Sequence, residues 1–210
     1  MLDNIFFKLI NKNLIKVYQS TIERFGYTSM GLHWASKASQ EKRFYIMCDL
    51  IKKHIDCNNA KIADLGCGFG DFYEFLRKRN HNYIYKGYDI NPKMINYCKK
   101  KFRPSLFEIS DEPTEICDFT ITSGTYNYAI FNSTNLWERY LIFNLKKCFM
   151  KSTGGLIFNL QVSSKSKIVN NIYYAGYDSF NKTLKENFKN VFYYSNESTP
   201  NDGYFVLLRN

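Results

Sequence analysis

Three glycines spaced two apart, in KIADLGCGFGD at residues 61–71, constrain this chain more than any other feature. Lys61 to Leu65 has the length and polarity of a buried parallel strand. Asp71 then offers an N-terminal cap, followed by Phe72, Phe75 and Leu76 at helical spacing. The pattern predicts a strand that breaks into a glycine-rich connection and resumes as a helix. Gly66, Gly68 and Gly70 sit in that connection, where absent side chains permit unusual dihedrals and let a ligand touch main-chain N–H groups. A tight turn that binds nothing is the plainer reading, but three glycines in five residues exceed what a turn needs.

The loop is not the G-x-G-x-x-G of dinucleotide sites, and the Lys-Ser/Thr of a Walker loop is missing. A second strand, NYIYKGYDI, ends in Asp89, 19 positions after Gly70. A carboxylate there can take both hydroxyls of a ribose. Together these features point to a nucleoside ligand with no diphosphate.

The rest of the chain repeats the alternation. The lysine-interrupted apolar N-terminus (Lys8, Lys12, Lys16) reads as a helix packed over the domain, in preference to one that grazes a membrane. Ser36 or Ser39 can cap a helix carrying Phe44, Met47, Ile51 and Ile55. Asn91-Pro92 supplies a cap and first-turn proline for a helix over 93–101. SLFEISD and CDFTITSG read as strands, Trp137 to Met150 as a helix stopped by Gly154-Gly155, and LIFNLQV as a fifth strand. SSKSKIVNNIYYAGYDS shows no clear period and reads as a lid or substrate loop. A helix over 178–187, NVFYYS, a turn at 200–203 and YFVLLR complete the chain. This is an α/β chain with a doubly wound, seven-stranded, mostly parallel sheet, a terminal antiparallel hairpin and an N-terminal helical cover. With no repeat or linker, residues 1–210 read as one domain, 1–38 forming the cover and 39–210 the α/β core.

DLGCGFG, the acid in GYDINP, the end of FEISD and the strand CDFTITSG together resemble the class I S-adenosylmethionine-dependent methyltransferases, over roughly residues 40–208. That resemblance implies a Rossmann-like fold and S-adenosylmethionine as cofactor, with S-adenosylhomocysteine as product. It implies that Asp64, Gly66, Gly68 and Gly70 approach the methionyl part and ribose, and that Asp89 holds the ribose hydroxyls. It further implies Ile90 and Met94 against the adenine, Asp111 accepting from its amino group, and Ser123-Gly124 facing the ammonium and the reacting methyl. GLHWASKASQEKRF, SGTYN and FNL are similar to a narrower group of small bacterial methyltransferases. In that likeness Trp34, Gln40 and Arg43 cover the cofactor, Arg43 suiting its carboxylate; an exposed helix charge is the plainer role for Arg43. Tyr126 and Asn127 fall where many such enzymes contact the acceptor, and Tyr173 lies in the tyrosine-rich insert. His33, beside Trp34, is the one histidine placed to act as a base.

Composition bounds partners and compartment. The formal charge of +10 favours anionic ligands, although lysine enrichment runs through the whole sequence. Six cysteines without a C-x-x-C pair argue for free thiols in a reducing, cytoplasmic setting and against a metal site. No stretch reads as a cleavable leader or a transmembrane span. SGTY lacks the Asp/Asn-Pro-Pro-aromatic signature of DNA amino-methyltransferases, which argues against DNA and leaves RNA open. The expected acceptor is a small polar molecule, methylated on oxygen, such as a sugar or phosphate-bearing precursor of a surface polysaccharide. An RNA methyltransferase and a non-catalytic cofactor-binding module are the alternatives.

Overall fold

A computed structural model describes residues 2–54 and 59–209; Ile55 and Cys57 lie outside the described residues. Helices α1 (Leu2–Phe25) and α2 (Lys37–His54) precede the sheet. The chain then runs β1 (Lys61–Leu65), α3 (Asp71–Lys78), β2 (Ile84–Asp89), α4 (Pro92–Lys101), β3 (Phe107–Ile109), β4 (Cys117–Thr122), α5 (Thr134–Lys151) and β5 (Ser152–Ser163). After these come β6 (Lys167–Val169), β7 (Ile172–Gly176), α6 (Tyr177–Asn187), β8 (Asn190–Ser195) and β9 (Asp202–Leu208). The strand order is β3-β2-β1-β4-β5-β7-β6, with β9 pairing β5 and β8. Strands β1 to β5 are mutually parallel, and the order reverses between β1 and β4. Carboxyl ends of strands flank a crevice at such a reversal, which is where open α/β sheets bind ligands.

Alternation along the strands builds two apolar layers. Leu156, Phe158 and Leu160 of β5 face α1, α5 and α6, against Phe7, Leu14, Trp137 and Phe180. Ile157 of the same strand faces α2, α3 and α4, against Met47, Ile51, Phe72 and Ile95. Asn91 caps α4, its side chain accepting from Lys93 N–H, and Ser36 caps α2 by accepting from Ser39 N–H.

The structure departs from the sequence reading in three places. First, the sheet has nine strands, because the stretch expected as a lid is a hairpin, β6–β7. Its two-residue turn, Asn170-Asn171, places both residues at positive φ (50° and 61°), the geometry that matches the twist of paired strands. Gln161 of β5 pairs with Tyr174 on one flank and Asp202 on the other, so β7 continues the sheet on the flank where β4 ends. Second, Gly154 and Gly155 do not stop α5; they lie inside β5, where a Cβ on Gly155 would meet Leu207 O at 2.1 Å. Third, Gly70 occupies the N-cap of α3 and Asp71 is its first helical residue.

Candidate active site

The connection after β1 is built by backbone geometry. Gly66 and Gly68 have φ of +75° and +55°, and added Cβ atoms would approach Thr125 to 2.5 Å and Leu32 to 2.9 Å. The loop thus needs glycine for its dihedrals and for the close approach of its neighbours. Gly66 and Cys67 N–H both donate to Tyr88 O, tying the loop to the end of β2.

Asp89 closes β2 directly opposite. One carboxylate oxygen accepts from Gly68 N–H at 3.0 Å and the other from Asn91 N–H at 2.8 Å. Burial pushes its pKa up to about 6, and these backbone donors hold back a larger rise. Asp64 in β1 is also buried, accepts from Tyr85 O–H at 2.6 Å and is pushed up to about 7, chiefly by burial. Asp71 accepts from Gln40 Nε2 at 3.3 Å, and burial raises its pKa as well. Three carboxylates around one loop make a site suited to a cationic, hydroxyl-bearing ligand.

These groups line one cleft. Leu32 and Trp34 approach it from the segment between α1 and α2, Gln40 from α2, Tyr18 from α1, and Asn144 from α5. The Trp34 indole lies against Gly124, where a Cβ would come within 2.7 Å of the ring. At the end of β4, Ser123 Oγ is buried without a hydrogen-bond partner. The neighbouring Asn159 accepts from Gly124 N–H through Oδ1, while its buried Nδ2 is unpartnered.

Of the residues expected from sequence, Asp64, Gly66, Gly68, Asp89, Ile90, Met94, Asp111, Ser123, Trp34, Gln40 and Tyr126 line this cleft. Asp111 is already engaged, accepting from Lys147 Nζ at 2.6 Å and Asn11 Nδ2 at 3.1 Å. Five others lie elsewhere. Gly70 turns the chain against Phe102 and Phe107. Arg43 pairs with Asp202 at 2.6 Å and donates to Ser39 O, so its fork is occupied away from the cleft. His33 stacks on Tyr128 at 4.6 Å and meets Tyr18 edge-on, and burial lowers its pKa. Asn127 accepts from Gln161 N–H at 3.0 Å. Tyr173 is fully buried and donates to Glu138 at 2.7 Å, a core residue of the sheet. Sequence reasoning missed Asp71, Thr125 and Tyr18 as cleft residues. Adjacency to the glycine loop was the available signal for Asp71, hidden by its reading as a cap.

A family model described as a methyltransferase domain matches residues 62–148, from β1 into α5. A Mycobacterium tuberculosis protein that carries a methyltransferase name is 27% identical over 119 residues, 54% of this chain and 72% of its own length. Over these residues the chain is similar to methyltransferase domains. Among solved structures, a Leishmania major S-adenosylmethionine-dependent methyltransferase superposes with a TM-score of 0.65 at 10% identity, covering 95% of this chain and 82% of that one. The plantazolicin methyltransferase BpumL, in complex with a triazolic desmethylPZN analog and S-adenosylhomocysteine, gives 0.65 at 12% identity and covers 97% and 98%. The sugar N-methyltransferase KedS8 from Streptoalloteichus gives 0.57 at 11% identity and covers 80% and 86%. At these identities the likeness to the three structures is one of fold. The cleft fits the S-adenosylmethionine expected from the sequence: carboxylates for its cations and hydroxyls, and an unpartnered buried hydroxyl at Ser123. Among the described residues no cluster of three or more His, Cys, Asp or Glu could hold a metal, and no helix is long and apolar enough to cross a membrane. Cys48, Cys67, Cys98, Cys117 and Cys148 are buried free thiols.

Proposed function

We propose that this chain is an S-adenosylmethionine-dependent methyltransferase acting on a hydroxyl of a small polar acceptor, a sugar or phosphate-bearing precursor of a surface polysaccharide or a related metabolite. The observation that carries the cofactor half is Asp89, a carboxylate fixed by two backbone N–H groups at the sheet's reversal point. Each of its oxygens keeps a free lone pair for a ribose hydroxyl. Ile90 and Met94 offer apolar contact to the adenine, and Asp111 an acceptor for its amino group. Gly66 and Gly68 admit the methionyl chain, while Asp64 and Asp71 offset its ammonium.

Bound there, S-adenosylmethionine supplies an electrophilic methyl group on a sulfonium. The chain's own part is positioning and exclusion of water. Trp34 against Gly124, with Gln40 and Tyr126 near it, walls the end of β4 with residues of this chain alone. Residues 1–38 act as the cover of the single domain, and the space they leave suits a small acceptor. KedS8 acts on a sugar, which makes sugar chemistry compatible with this fold. His33 packs against Tyr18 and Tyr128, and proximity is the source of rate this reading relies on.

Labelled S-adenosylmethionine incubated with fractions of a bacterial lysate tests the reading. Label in the low-mass fraction is expected. Label confined to nuclease-sensitive RNA would replace the small acceptor with RNA, and tight binding with no transfer would make the chain a binding module.

A further inference from the structure

A second pocket adjoins the first through Trp34. Trp34 lines the cofactor cleft, and the Arg43 guanidinium, 5.0 Å from its ring centroid, lines the second pocket. The start of α2 gives that pocket Ser36, Ser39, Lys42 and Arg43, β5 gives Gln161, and the β8–β9 turn gives Ser198 and Asn201. Its described lining holds hydroxyls, amides and two cations, and no carboxylate. Asp202 lies behind, paired with Arg43 at 2.6 Å and accepting from Gln161 Nε2 at 2.5 Å. That pair holds the guanidinium in place, and Arg43 Nε stays buried without a partner. Lys42 is exposed and adds a charge with no carboxylate partner among the described residues.

Asn127 ties Gln161 of this pocket to the end of β4. Asn127, three residues beyond Gly124, accepts from the N–H of Gln161. Its own N–H donates to Gly124 O, so Gly124 and Gln161 are linked through one residue.

We infer that this pocket binds a phosphate group of the methyl acceptor, holding it while the acceptor's hydroxyl reaches past Trp34 to the end of β4. The assignment of the phosphate to the acceptor rests on the methyltransferase reading. Hydroxyls from α2 and the β8–β9 turn beside the unpaired Lys42 ammonium, with the Arg43 charge met from behind by Asp202, match an oxyanion that accepts several hydrogen bonds at once. The net charge of +10 adds a long-range field of the same sense.

The test is an amide-resolved NMR titration of the full-length 15N-labelled chain with inorganic phosphate, against chloride at matched ionic strength. Saturable shifts are expected at the amides of residues 36–39 and of Ser198, Thr199 and Asn201. Lys42→Glu, on an exposed face of α2, should weaken them at least about tenfold. Shifts that are absent, equal with chloride or unchanged in Lys42→Glu would overturn the inference. A parallel titration with S-adenosylhomocysteine reads the amides of Gly66 and Gly68 instead; its failure would sink the cofactor reading and leave the phosphate result independent.

Discussion

At the scale of single residues, the site is governed by carboxylates that burial keeps from ionising freely. On the proposed function, Asp89→Asn removes the charge that meets the ribose and should weaken S-adenosylhomocysteine by about 1.5–3 kcal/mol, read by calorimetry. The same affinity should fall as the solution is acidified below Asp89's value of about 6, because the protonated group loses its charge-assisted bonds. Asp64 carries a different consequence, for stability. Its pKa in the folded chain is about 7 against an ordinary 3.8, so between those values the native state holds a proton that the unfolded chain has released. Stability from this group is therefore lost as pH rises through that window. Asp64→Asn keeps an acceptor for Tyr85 and should flatten the dependence of melting temperature on pH between 4 and 7 in the cofactor-free protein. Parallel curves for variant and parent would show that Asp64 ionises at its ordinary value.

Among elements, the β6–β7 hairpin changes most between sequence and structure. Its turn residue Asn170 sits at φ 50°, so Asn170→Ala should cost about 1 kcal/mol and Asn170→Gly almost nothing, seen as denaturant midpoints. Tyr173→Ala should cost about 3–5 kcal/mol, as for any large core side chain. Deleting residues 163–178 should accordingly unfold the sheet, which a detachable lid would not do. The hairpin escaped the sequence reading because β6 is three residues long and β7 pairs with β5, a partner that no local pattern announces. The glycine loop, Asp89 and the Asn91 cap were legible for the opposite reason: each signal lies within one strand-loop-helix unit. Arg43 was misplaced because its partner Asp202 comes from the far end of the chain, and His33 because stacking on Tyr128 leaves no mark in the sequence around it.

For the whole molecule, the segment joining α1 to α2 and the insert hairpin should behave differently in hydrogen exchange. Amides of residues 26–36 should exchange readily without ligand and become protected with S-adenosylhomocysteine, whereas β7 should be protected in both states. Equal protection of residues 26–36 with and without ligand would mean that the cover is rigid and the cofactor enters by another route. The docking of α1 also carries a cost in time. Asn11 donates to Asp111 and accepts from Tyr140, and Phe7 packs against Tyr140 and Phe143. Helix α1 thus waits for a surface made 100 to 129 residues later, roughly 5–26 s at ordinary elongation rates. For that interval the apolar stripe of Phe7, Ile10 and Leu14 has no native seat, so a nascent chain of this protein is a client for whatever shields greasy helices during translation, and its yield depends on the speed at which codons for residues 12–140 are read.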